Sequence, residues 1–113
     1  MVIMKLNEKP FEQIRSKKKI WEVRLNDEKR KNIGVGDSIL FRKLPDLMDG
    51  MVVRVVDKKY FNSFREMATV LSLGSLGFES GATADTCEET YHSYYTPEEE
   101  SKYGVVAFKL EVI

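Results

Sequence analysis

The chain has 113 residues, enough for one domain with its own core, and 42% hydrophobic with 11% aromatic residues is a globular composition that excludes extended disorder. Eighteen Lys and Arg balance eighteen Asp and Glu, so total charge predicts no general attraction to nucleic acid, and no run of about 18 apolar residues offers a membrane span. The single cysteine, Cys87, excludes an internal disulfide and cannot form a zinc site alone, and the opening MVIMKLNEKP lacks the apolar segment of a secretory leader, so a cytoplasmic protein without a metal is expected.

Val2 to Leu6 alternates weakly and reads as an opening strand. Asn7 is placed to cap a first helix, with Pro10 in the first turn, where its missing donor costs nothing, and with Phe11 and Ile14 on the buried face. Arg15, Lys17, Lys18 and Lys19 then fall near the helix C-terminus, where cations complement the helix dipole.

The segment Lys17 to Phe41 draws the most attention. From Ile20 to Leu25 the side chains should alternate, with Trp21, Val23 and Leu25 facing the core and Glu22 and Arg24 projecting together on the other side. A carboxylate beside a guanidinium can stay ionised in a partly buried cleft, since each offsets the other's desolvation; an ordinary surface ion pair is the alternative. Asn26 to Lys31 is a polar insert, readable as one helical turn capped by Asn26, after which Ile33 and Val35 are expected to return to the core. Gly34, Gly36 and Asp37 supply a turn, Ser38 to Lys43 reads as a strand, and Pro45 to Gly50 is a loop leading into a longer strand, Met51 to Tyr60.

Ser63 and Glu66 have capping-box spacing and start a helix with Met67, Val70 and Leu71 as its buried stripe, ending near Gly74. Gly74 to Asp85, with three glycines and several Ser and Thr, reads as a mobile or ligand-facing loop. Tyr91, Tyr94 and Tyr95 surround His92, which has no Cys or second His beside it and reads as structural or exposed. Thr96-Pro97-Glu98-Glu99 opens a helix of about two turns, closed by Lys102 and Gly104, and Val105 to Ile113 is a closing strand. Cys87 beside Glu88 and Glu89 is a poor candidate nucleophile.

Charge is unevenly distributed: residues 15–31 carry eight basic against three acidic side chains, or +5, and residues 85–111 carry two against seven, or −5. Such asymmetry can focus an anionic ligand on one side of a fold, unless the two faces simply neutralise each other. About five short strands with two to three flanking helices and hairpin connections predict an α+β fold, a small mixed β-barrel formed as a single domain over residues 1–113.

Lys19, Glu22 and Arg24, followed by Gly36-Asp37 and an alternating strand, resemble the Gly-x-Lys-x-x-Glu-x-Arg and Gly-Asp signature of the ASCH domain family, whose fold is similar to the PUA domain. The stretch Tyr94-Tyr95 through Lys102-Tyr103-Gly104-Val105-Val106 also looks like the small single-domain bacterial members. The family's glycine position is held here by Lys17. This resemblance implies binding of RNA or a nucleotide- or nucleoside-like small molecule in a charged cleft. Lys18, Lys19 and Arg24 would neutralise phosphate, Glu22 would accept from a base amino group, and Tyr94 or Tyr95 would stack on an unpaired base. The resemblance also implies an alternative, a small hydrolase acting on RNA or on acetylcytidine. Lys19 then occupies the place of a catalytic lysine, Glu22 stands where those enzymes carry a threonine, and Glu79 is the nearest candidate for a second carboxylate. Neither reading calls for a cofactor.

Overall fold

Five strands and four helices account for most of the chain in the computed structural model, which describes all of residues 1–113. The strands are β1 (Val2–Leu6), β2 (Trp21–Leu25), β3 (Ser38–Lys43), β4 (Gly50–Phe61) and β5 (Val105–Val112). They form one sheet in the order β1-β3-β4-β5-β2, with β1 parallel to β3 and every other neighbour antiparallel. The helices are α1 (Glu8–Arg15), α2 (Phe64–Val70), α3 (Ala84–His92) and α4 (Pro97–Tyr103). The fold is therefore the expected α+β arrangement, with a five-stranded sheet curled into a half-barrel.

Alternation along the strands builds a core on each side of the sheet. On β5, Val106, Phe108 and Leu110 join Phe11 and Ile14 of α1 in one apolar cluster, while Val105 and Ala107 point the other way, into a cluster with Phe64, Met67, Cys87 and Tyr91 of α2 and α3. The long strand β4 serves both, through Val53 and Val55 on one side and Phe61 on the other, with a register shift between Val55 and Asp57. The sheet curls around the first cluster, and across the gap between its two edge strands an Arg24 amino group donates to the Lys5 carbonyl over 3.1 Å. Consecutive strands in the sequence thus become the two lips of one seam.

Several local expectations change. Val35 and Val70 are 64% and 61% exposed, because the turn at Gly34–Asp37 and the end of α2 direct them outward rather than into either cluster. Asn7 occupies the N-cap position of α1 without a side-chain bond, and Asp27, not Asn26, caps the polar insert by accepting from the backbone of Lys29 and Arg30. Ser63 does cap α2, but Glu66 reaches back to the Asn62 amide instead of closing the box on Ser63. The Gly74–Asp85 segment is not loop throughout: it opens with a 3-10 turn at Gly74–Leu76, and α3 begins at a Thr83–Thr86 capping box. The box on Thr96 and Glu99 and the end of α4 at Gly104 stand as read from the sequence. No helix is long and apolar enough to cross a membrane.

Candidate functional site

Strand β2 lies at the sheet's edge, and its alternation carries Glu22 and Arg24 to the concave side while Trp21, Val23 and Leu25 pack beneath α2 and α3. Glu22 is only 3% exposed. Its Oε1 lies 3.2 Å from Lys19 Nζ, and its Oε2 accepts from Arg24 Nε at 3.0 Å and from an Arg24 amino group at 2.9 Å. Burial disfavours the Glu22 carboxylate, but the adjacent Lys19 and Arg24 cations outweigh it and hold its carboxyl below the usual range. Buried Lys19 and half-buried Arg24 against one carboxylate leave the trio with one net positive formal charge.

The trio faces a cavity of about 830 Å³. Its walls are supplied by α1, by α3 and by the segment from Leu76 to Ala82. Backbone and side-chain bonds fix this frame: the Lys19 amide donates to the Gln13 carbonyl at 3.0 Å, the Gln13 side chain donates to the Gly77 carbonyl at 3.0 Å, and the Ile20 amide donates to the Ser75 carbonyl at 2.9 Å. Gly77 has φ +94°, and a Cβ there would stand 2.6 Å from Gln13 Oε1, so this wall requires glycine. Lys17 turns the chain out of α1 with φ +67°, a left-handed conformation that the family's glycine adopts without strain.

Lys19, Glu22 and Arg24 therefore converge on one open cavity, and Tyr94 and Tyr95 line it as well. Tyr95 is partly buried and stacks on Phe64 with ring centroids 5.8 Å apart, while Tyr94 is 63% exposed at the rim. Burial raises the Tyr95 hydroxyl above its ordinary pKa, against the opposing influence of Arg24. Glu79 also lines the cavity, but its carboxylate accepts from Lys18 at 2.8 Å in an exposed pair. Lys18 is not among the lining residues. No group of three His, Cys, Asp or Glu side chains gathers closely enough to hold a metal ion.

Among the lining residues that escaped sequence reasoning are Gln13, Val23, Thr90 and Tyr91. Tyr91 is 7% exposed, lies nearly parallel to Phe64 at 4.8 Å, and lines the cavity. Burial pushes its hydroxyl well above the ordinary tyrosine value. The four-residue spacing of Cys87 and Tyr91, both buried, is the signal that could have found this helix face. The charge asymmetry is mostly resolved locally, since Arg15 pairs with Asp49, Arg30 with Asp27, Lys31 with Glu28, and Arg65 with Asp85 and Glu88.

A family model described as the ASCH domain matches residues 4–113. The chain is similar to the hypothetical protein PH0355, known from a crystal structure, at 33% identity and TM-score 0.87 over 98% of this chain and 97% of that one. It is similar to protein PF0455 from Pyrococcus furiosus, known from a solution NMR structure, at 33% identity and TM-score 0.76 over 99% and 96% of the two chains. The crystal structure of ASCH from Zymomonas mobilis, 12% identical, shares the fold, with TM-score 0.68 over 96% of this chain and 65% of that one. No curated protein matches.

Proposed function

Because this chain belongs to the ASCH domain family, with its PUA-like fold, we propose that the cavity binds a nucleotide, either free or as part of single-stranded RNA. The observation that carries this reading is the Lys19–Glu22–Arg24 trio, built on a buried carboxylate, whose one net positive charge faces the same space as Tyr91, Tyr94 and Tyr95. A cation in a low-dielectric recess attracts an anionic or acceptor-rich group, and aromatic side chains beside it give a base a surface to stack on. Glu22 holds the two cations in place and is a positioning residue: its oxygens already accept from both.

Titration at low salt with single-stranded RNA and with nucleoside monophosphates tests the reading. Binding that saturates, weakens with added salt and falls at least about tenfold in Arg24→Ala supports it. No binding by any of these ligands would overturn it. The hydrolytic alternative asks Glu22 to take a proton from water, and a carboxylate held acidic by two cations is a weak base for that step. Incubation with acetylcytidine, following release of acetate, separates the two readings.

A further inference from the structure

Strand β2 has one ladder partner, β5, and the bonds on either side of Val23 show which way its backbone faces. The Leu110 amide donates to the Ile20 carbonyl at 2.8 Å, and the Asn26 amide donates to the Gly104 carbonyl at 3.0 Å. Even-numbered residues of β2 thus bond toward β5, and the N–H and C=O of Val23 point together out of the free edge. No other backbone or side-chain bond reaches either group, although Val23 is only 4% exposed and lines the cavity. A buried donor and acceptor left without partners is an unusual cost, one that a ligand can remove. Tyr91, 7% exposed, lines the same cavity.

We propose that the free edge of β2 at Val23 reads the pairing edge of a nucleobase, its N–H donating to a ring or carbonyl acceptor and its C=O accepting from the adjacent ring or amino N–H. The inference rests on the nucleotide reading of the cavity and deepens it. Every unmodified base presents such an acceptor beside a donor. A second extended peptide offers the same pair, but the open edge is too short for one. The Ser75 carbonyl takes the Ile20 amide at one end, and at the other Arg24 bonds the Lys5 carbonyl across the seam, one residue beyond Val23. A compact planar ring fits between these closures, with the trio supplying charge on one side and the tyrosines supplying a stacking surface.

The test uses 15N-labelled full chain titrated with each of the four nucleoside 5′-monophosphates, followed by the counterpart of the tightest ligand whose pairing-donor nitrogen is fully methylated, once on a ring nitrogen or twice on an exocyclic amino group, so that no N–H remains there. The expected result is a shift of the Val23 amide resonance together with those of Lys19 and Tyr91, and binding of the methylated ligand weaker by at least about tenfold. Equal binding of the methylated ligand, or a still Val23 resonance while the others move, overturns the base-edge proposal and leaves nucleotide binding standing. If neither the four monophosphates nor single-stranded RNA moves any cavity resonance, the nucleotide reading fails and this inference falls with it. A Val23 shift with an extended pentapeptide alone would assign the edge to strand docking and also overturn the proposal.

Discussion

Arg24 donates to the Lys5 carbonyl across 3.1 Å, and this single bond joins the two edge strands of the sheet while the same guanidinium grips Glu22. The residue is thus part of the bridge between the sheet's edges and of the cavity's charge at once. Arg24→Ala is expected to lower stability by about 3 kcal/mol, since it strips one partner from a buried carboxylate and opens the seam. Arg24→Lys should recover less than half of that, because an ammonium cannot present the planar fork that reaches both acceptors. Urea denaturation measures both, and a lysine variant as stable as the parent would refute the fork's role.

Glu22 sets a pH dependence whose sign follows from its lowered pKa. The carboxyl titrates lower folded than unfolded, so the unfolded chain binds more protons in the acid range. Its stabilisation is complete above the unfolded value of about 4.3 and is lost as pH falls through the folded value. Urea midpoints measured from neutral pH downward should therefore decline more steeply in the parent than in Glu22→Gln. Parallel pH profiles for the two proteins would contradict this.

Lys17 holds φ +67° at the exit of α1, a conformation costing an L-residue roughly 1–2 kcal/mol. Lys17→Gly relieves that strain and adds some freedom to the unfolded chain, for an expected net gain of about 0.5 kcal/mol. Lys17→Ala, which removes the charge and keeps the strain, should match the parent. Thermal midpoints of the three proteins decide it: a glycine variant no more stable than the alanine one would remove the strain argument.

Glu100, 8% exposed, receives the Phe64 amide at 2.7 Å and lies 2.8 Å from His92 Nε2, so a residue of α4 satisfies the first turn of α2. Glu100→Ala leaves the Phe64 donor buried and is expected to cost about 2 kcal/mol, while Glu100→Gln, which retains an acceptor oxygen, should cost about half as much. Equal losses in the two variants, measured by urea denaturation, would show that the Phe64 bond is not the cause.

Burial, reinforced by Glu88, pushes the Cys87 thiol up to about 11. With almost no thiolate at pH 8 and no exposed surface, Cys87 should react with a disulfide reagent only after unfolding. Rapid labelling of the native protein at that pH would contradict the packing of α3 against the sheet.

The strands after the first were legible because they carry a two-residue alternation or a Val-rich run bounded by turn residues, and the trio was legible because charges inside such a segment stand out. What sequence could not supply is contact between distant segments. Nothing in Lys5 announces that its carbonyl meets Arg24, and nothing in Gln13 announces its bond to Gly77. Helix α3 was missed because Thr, Cys and His are indifferent helix formers and its capping box uses Thr86 where Glu or Gln is usual. Val35 and Val70 show the converse error, apolar residues assigned inward on type alone although the backbone turns them toward water.

Trp21–Leu25 finds its ladder partner only in Val105–Val112, the last strand of the sheet. On the ribosome, the lip of the cavity must wait, unpaired and with its charges solvated, through the synthesis of some eighty intervening residues. Nascent chains halted before β5 would emerge with a hydrophobic Trp21-bearing segment open to chaperones and without the recess, which the closing strand completes in one step rather than by degrees.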